Sequence, residues 1–284
     1  MSPIADYLKD ARRLPPAPKI LPLLLDLLSR DDIDADKIIE LLRYDPALTA
    51  SVLQLANSAA FGAAAKIADL CEAVARLGFQ QVYMLVAAIL GARGFSAGQC
   101  GYGMEAGELW HHSISSAVAA QLLADDIGDE PKIVFTAALL HDLGKIALAD
   151  ALADKYDRIV EGTEVRHLSL LDVEAEFLGF NHAELGGALL RRWNFPETLV
   201  SAVQFHHEPG CAPAGFERRL AAFCHIGNLI AYTMGHGYGN SATAMRGKVA
   251  AFEILGLDPV EIDLYVIRAF AQTAVIEALF NIGR

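Results

Sequence analysis

Ala137 to Lys145 reads AALLHDLGK, an apolar run that ends abruptly in His141, Asp142, Leu143, Gly144 and Lys145. The apolar residues up to Leu140 predict a buried helix, and Gly144 can take the left-handed backbone that closes one. A metal-binding imidazole, a carboxylate and an ammonium therefore arrive together at a buried helix end. An unpaired buried Asp is costly, so a functional origin for the cluster outweighs a purely structural one.

Outward from this stretch the chain keeps its helical punctuation. Pro131 starts the helix that ends in His141-Asp142, and a long helix from about Glu105 to Asp126 precedes it, carrying Trp110, His111, His112 and Ser113. Downstream, helices are expected at Ala151 to Glu161 and Val165 to Leu178. Asn181 with Glu184 forms a capping box for the next. Pro196 opens a helix carrying His206 and His207, which Pro209 stops. Phe216 to Met234, Lys248 to Leu255 and Pro259 to Leu279 complete the chain.

On the N-terminal side, LPPAPK (Leu14 to Lys19) is an extended lead-in. Helices follow at Ile20 to Arg30 and, with Asp34 as cap, Ala35 to Tyr44. Asp45-Pro46 is a helix-start signature for a helix reaching about Ser58. Asp69 to Leu77 is a short helix stopped by Gly78, and Gln80 to Leu90 a buried one. No stretch alternates with period two between turn residues, so the class is all-α. Six glycines between Gly91 and Gly107 mark the boundary candidate, giving subdomains 1–104 and 105–284.

With 284 residues, 54% hydrophobic and 20% charged, the chain can bury a sizeable core. A net charge of −12 argues against a sequence-independent grip on nucleic acid. Cys71, Cys100, Cys211 and Cys224 form no C-x-x-C pair and read as free thiols in a reducing compartment. The N-terminus lacks a signal-peptide core, and no run reaches the ~18 apolar residues of a spanning helix. The expectation is a soluble, cytoplasmic protein with no membrane contact.

Histidine placement carries more than histidine number. His112, His141-Asp142, His182 and His206-His207 fall on four different helices, mostly at their ends. Imidazoles and a carboxylate converging from several helices suit a site for iron, manganese, cobalt or nickel. Two ions sharing Asp142 could activate a water for attack on phosphorus, with Lys145 holding a phosphate oxygen. His167, His225 and His236 read as hydrogen-bonded core residues. Asp125-Asp126 and Asp129-Glu130 read as a solvated turn.

Two sets of residues carry a family resemblance. Asp45-Pro46-Ala47-Leu48, Leu53 to Ala59, Phe61-Gly62 and Ala73 to Gly78 resemble the signature of the HDOD proteins, HD-related output domains of bacterial signalling. Trp110-x-His112-Ser113, Leu139 to Lys145, Asn181 to Gly186, Trp193-x-x-Pro196 and His206-His207-Glu208 resemble the HD phosphohydrolase superfamily. The W-x-H-S pattern favours His112 over His111.

The resemblance implies an N-terminal helical HDOD subdomain packed on an HD-type helical bundle, with a cleft between them. It implies one or two divalent ions held by His112, His141, Asp142, His182, His206, His207 and Asn228, with Asp142 and Lys145 in the chemistry. It also implies a signalling-protein partner or a small nucleotide-like ligand, or, alternatively, phosphohydrolase activity on a nucleotide or cyclic dinucleotide.

Two departures bear on activity. Asn228 stands where HD hydrolases place an Asp, and a neutral amide holds a dication less strongly. Pro209-Gly210-Cys211-Ala212-Pro213 stands where hydrolases of cyclic di-GMP carry Gly-Tyr-Pro, so that activity is not supported.

Overall fold

The computed structural model describes residues 3–8, 23, 27, 35–43, 46–58, 61, 67–95, 97–237 and 249–280. Every regular element among them is helical; an isolated bridge pairs Gln99 with Met104. The all-α expectation holds. Asp34, Asp45, the helix expected at Ile20 to Arg30 (beyond Leu23 and Leu27) and most of the 235–247 loop lie outside the described residues.

Two compact units emerge, Ala17–Leu90 with Ala274–Arg284, and Met1–Pro16 with Gly91–Thr273. The division falls at Leu90/Gly91, at the start of the glycine-rich stretch and not between 104 and 105. Gly101 shows why. A Cβ there would sit 2.3 Å from the Ala149 carbonyl, so the turn Cys100–Tyr102 lies flush on the backbone of the second unit.

In chain order the first helices are α1 (Pro3–Tyr7), α2 (Ala35–Arg43), α3 (Pro46–Ala56) and α4 (Leu70–Phe95). Pro46 opens α3, as its fixed φ and missing N–H suit a first helical turn. Beyond α3, Asn57 staples the chain. Its amide donates to the Leu53 and Ile67 carbonyls, both at 2.8 Å, and accepts from the Ile67 N–H at 2.7 Å. Gly78 (φ 75°, ψ 156°) breaks α4 into two segments, a conformation that a side chain would strain.

The segment Leu70–Leu90 is, by length and composition, apolar enough to cross a membrane, contrary to the sequence expectation. Its apolar residues, among them Val82, Tyr83, Val86 and Ala87, are buried within the protein, as a core helix requires.

The second unit comprises α5 (Glu108–Ile127), α6 (Pro131–Leu140), α7 (Leu143–Leu152), α8 (Tyr156–Val160), α9 (Leu170–Leu178), α10 (His182–Arg192), α11 (Glu197–Phe205), α12 (Phe216–Thr233), α13 (Val249–Leu255) and α14 (Ile262–Phe280, to Thr273). The long α5 packs against α6 and α12, and α10 packs against α7 and α11. Glycines set the closest of these contacts. A Cβ on Gly227 would stand 2.5 Å from the Ser116 carbonyl of α5, and one on Gly187 would stand 2.8 Å from Gln204 Cβ of α11.

Three local expectations change. Arg166 to Ser169 is not helical: a π-helical turn spans Glu161–Val165, and His167 (φ 54°) is exposed, so it is no core histidine. The acidic turn is not merely solvated, because Arg219 binds Asp129 at 2.7 Å while Arg268 and Tyr265 bind Asp126. These ties fasten the end of α5 to α12 and α14. Cys71, Cys100, Cys211 and Cys224 are free thiols, as expected.

Candidate metal centre

Gly144 does not close a helix. It lies inside α7, outside the set of residues with positive φ. Its role is proximity: a Cβ there would fall 1.9 Å from the His182 carbonyl oxygen and 3.0 Å from the Gly186 amide nitrogen. Only glycine lets the start of α7 lie against the start of α10, and this contact brings Asp142 and His182 together.

Asp142 is the hub. It precedes α7, is fully buried, and divides its two oxygens between two groups of imidazoles. Oδ2 lies 3.4 Å from His112 Nε2 and 3.3 Å from His141 Nε2. Oδ1 lies 3.2 Å from His182 Nε2 and 3.8 Å from His206 Nε2. His207 joins the second group, its Nε2 at 3.0 Å from that of His182. The ligand atoms of each group, His112–His141–Asp142 and Asp142–His182–His206–His207, lie within 4.8 Å of one another.

The imidazoles are oriented from behind. His112 Nδ1 meets the His236 carbonyl at 2.8 Å, His141 Nδ1 the Ala138 carbonyl at 2.6 Å, and His206 Nδ1 the Val203 carbonyl at 2.7 Å. A carbonyl oxygen can only accept, so Nδ1 carries the proton in each ring and Nε2 presents a lone pair to the centre. His225 donates from Nδ1 to the His206 carbonyl at 2.9 Å, bracing that ligand's backbone. It is the hydrogen-bonded core residue expected. His236 is only half-buried but contributes its carbonyl and bonds Ser115 through Nδ1 at 2.6 Å.

Electrostatics reinforce the geometry. Burial pushes His112 down to about 3, against the pull of Asp142. Burial and neighbouring histidines likewise hold His206 and His207 well below the usual imidazole range. All three stay neutral and able to ligate. For His182, burial is outweighed by the Glu174 charge and by the hydrogen bonds to that carboxylate, which raise it. Burial would raise Asp142, but its surroundings, the Lys145 ammonium among them, hold it well below the carboxylate range.

Lys145 donates to Asp142 Oδ2 at 2.7 Å and is buried. Burial opposes its charge, yet the Asp142 carboxylate raises it above the ordinary lysine value. Its ammonium is directed to the Asp142 carboxylate.

The donor set fits a divalent transition metal. Asp142 Oδ1 and His206 Nε2 are buried without a hydrogen-bond partner among the described residues. Leaving such atoms unpaired costs about 1–3 kcal/mol each. A cation between them removes that cost. The Nε2 separations of 3.0 and 3.3 Å match edges of a coordination shell with bonds of about 2.0–2.1 Å. Asn228 is buried in α12, the helix that packs on α5.

Sequence reasoning missed Glu174 and Tyr102. Glu174 of α9 is fully buried and accepts from His182 Nδ1 at 2.8 and 2.9 Å, and from the His182 main-chain N–H at 2.7 Å. Tyr102 donates to it at 2.7 Å. The signal was present: with Leu170, Val173 and Phe177, Glu174 occupies the apolar face of its helix.

The HDOD domain family model matches residues 14–209. The chain belongs to the HDOD family. An uncharacterised protein of Treponema pallidum is 27% identical over 234 residues, 82% of this chain and 44% of that protein. Ribonuclease Y of Petrotoga mobilis is 31% identical over 136 residues, 48% of this chain and 20% of the enzyme. The HDOD chain thus spans less than half the length of either relative. A crystal structure of a candidate phosphohydrolase from Shewanella amazonensis SB2B superposes with a TM-score of 0.72 at 25% identity, covering 96% of this chain and 97% of that one.

Proposed function

We propose that this HDOD protein is a cytoplasmic signalling module that holds divalent transition metal at Asp142 and binds a small nucleotide-like phosphorylated ligand there. One observation carries the reading: each oxygen of a single buried carboxylate faces its own set of imidazole lone pairs. His112 and His141 with Oδ2, and His182, His206 and His207 with Oδ1, are the residues that would hold metal, with Asn228 proposed as a further, neutral donor. A bound divalent ion supplies Lewis-acid attraction for phosphate oxygens.

The chain's own residues do the remaining work. Main-chain carbonyls fix the imidazole tautomers, Gly144 sets the separation of the two helix starts, and Lys145 keeps Asp142 ionised. His207 is half-buried and Glu208 is exposed, which puts the solvent edge of the centre at the end of α11.

Metal-dependent phosphohydrolysis is the second reading. The bridging position of Asp142 favours it, as does the likeness to ribonuclease Y. The net charge of −12 weighs against RNA as the substrate.

A panel of nucleotides and cyclic dinucleotides, titrated calorimetrically into metal-loaded protein and assayed for turnover, tests both. Binding that disappears in Asp142→Ala, without turnover, supports the module. Turnover that disappears in the same variant establishes the hydrolase. Binding unaffected by Asp142→Ala removes both readings.

A further inference from the structure

Among the described residues Glu174 is the one fully buried carboxylate besides Asp142, and no chemistry assigned so far uses it. Its hydrogen-bonding contacts converge on two partners: three run to the ring and main chain of His182, one to the Tyr102 hydroxyl. Among the proposed ligands, His112, His141 and His206 rest their Nδ1 on neutral carbonyls. His182 rests its own on a carboxylate. A carboxylate behind an imidazole fixes its tautomer and raises its basicity more than a carbonyl does, and such outer partners change metal affinity by about 10–100-fold.

We propose that Glu174 is a positioning residue that makes His182 the strongest nitrogen donor of the centre, so that metal is captured first by the Asp142–His182–His206–His207 group. The Tyr102 hydroxyl moderates this effect. By donating to the same carboxylate it draws electron density from the bond to His182. The inference rests on the metal-holding reading above, and it adds an order of filling and an outer shell that set affinity.

The sign of the Tyr102 effect separates positioning from scaffolding. If Glu174 acts through its charge on His182, Glu174→Gln weakens the metal site while Tyr102→Phe leaves it at or above wild-type affinity. If the network merely holds α9 and α10 in place, both variants weaken it.

Cobalt(II) titrated into chelator-stripped protein, followed by visible absorption, reads the affinity and the ligand field together. Thermal unfolding in chelator reports the fold of each variant. We expect Glu174→Gln to lower the affinity of the first cobalt about 10–100-fold. We expect Tyr102→Phe to bind at least as tightly as wild type. Wild-type affinity in Glu174→Gln, or a tenfold or greater loss in Tyr102→Phe, overturns the proposal while leaving the metal centre standing. Should the Gln variant fail to fold, the Tyr102→Phe result decides alone. No cobalt bound by the wild-type protein sinks the metal reading and this inference with it.

Discussion

Gly144→Ala is the smallest change that reaches the centre without touching a ligand. On an exposed helix, Gly to Ala stabilises by about 0.5–1 kcal/mol because it restricts the unfolded chain. Here the new methyl would lie 1.9 Å from the His182 carbonyl oxygen, 2.7 Å from its carbonyl carbon and 3.0 Å from Gly186 N. All three are backbone atoms, which cannot swing aside as a side-chain tip can. Restoring ordinary contact at 3.4 Å or more requires α7 and α10 to part by about 1.5 Å. Overpacking of this kind costs about 1–3 kcal/mol, sometimes more, and so reverses the sign of the propensity effect.

Metal sites tolerate about 0.2 Å in ligand distance, so the same displacement removes His182 from its place beside Asp142. Urea unfolding in chelator should show a net loss of about 1–3 kcal/mol, and cobalt titration should show loss of the His182 group. A variant as stable as wild type, with unchanged cobalt binding, would refute the close-approach argument.

Further expectations follow from the same geometry. If Asn228 is a further donor as proposed, Asn228→Asp should raise metal content under limiting metal and destabilise the metal-free protein, because it buries another carboxylate; unchanged metal content contradicts that proposed role. Metal-free protein should lose stability as pH falls below about 6.5. His112, His206 and His207 stay neutral when folded and take up protons when unfolded, each contributing up to about 1.4 kcal/mol per pH unit. His182, raised when folded, acts oppositely: its contribution is present below 6.5 and lost as pH rises through the folded value. A urea midpoint that stays flat from pH 7.5 to 5 in chelator contradicts this balance. Asn57→Ala removes two hydrogen bonds to Ile67 and one to Leu53 and should cost about 1–3 kcal/mol in urea unfolding; an effect below about 0.5 kcal/mol would show that the staple is replaceable.

Helix starts were the most legible feature of the sequence, because their chemistry is local. Pro46, Pro131, Pro196 and the Asn181–Glu184 box open helices where the residues say they should. The ligands were legible too: imidazoles and a carboxylate at helix ends need partners, and His112, His141, Asp142, His182, His206 and His207 meet.

What remained hidden depends on contacts between distant elements. Gly144 looked like a helix terminator because a sequence cannot show which backbone will lie against it. The pairing of Glu174 was not legible, since its partners Tyr102 and His182 lie 72 and 8 residues away. The pairing of Lys145 with Asp142 was equally hidden, because the turn between α6 and α7 fixes it. Arg166 to Ser169 carries helix-compatible residues, yet the chain there must turn to bring α9 and its Glu174 inward.

The central claim, that Asp142 is a metal hub, is tested most directly by anomalous diffraction from crystals of protein grown with iron and manganese. The account predicts an anomalous peak within bonding distance of Asp142 Oδ1 and the Nε2 atoms of His182, His206 and His207. Well-ordered side chains around that point with no anomalous signal would contradict it.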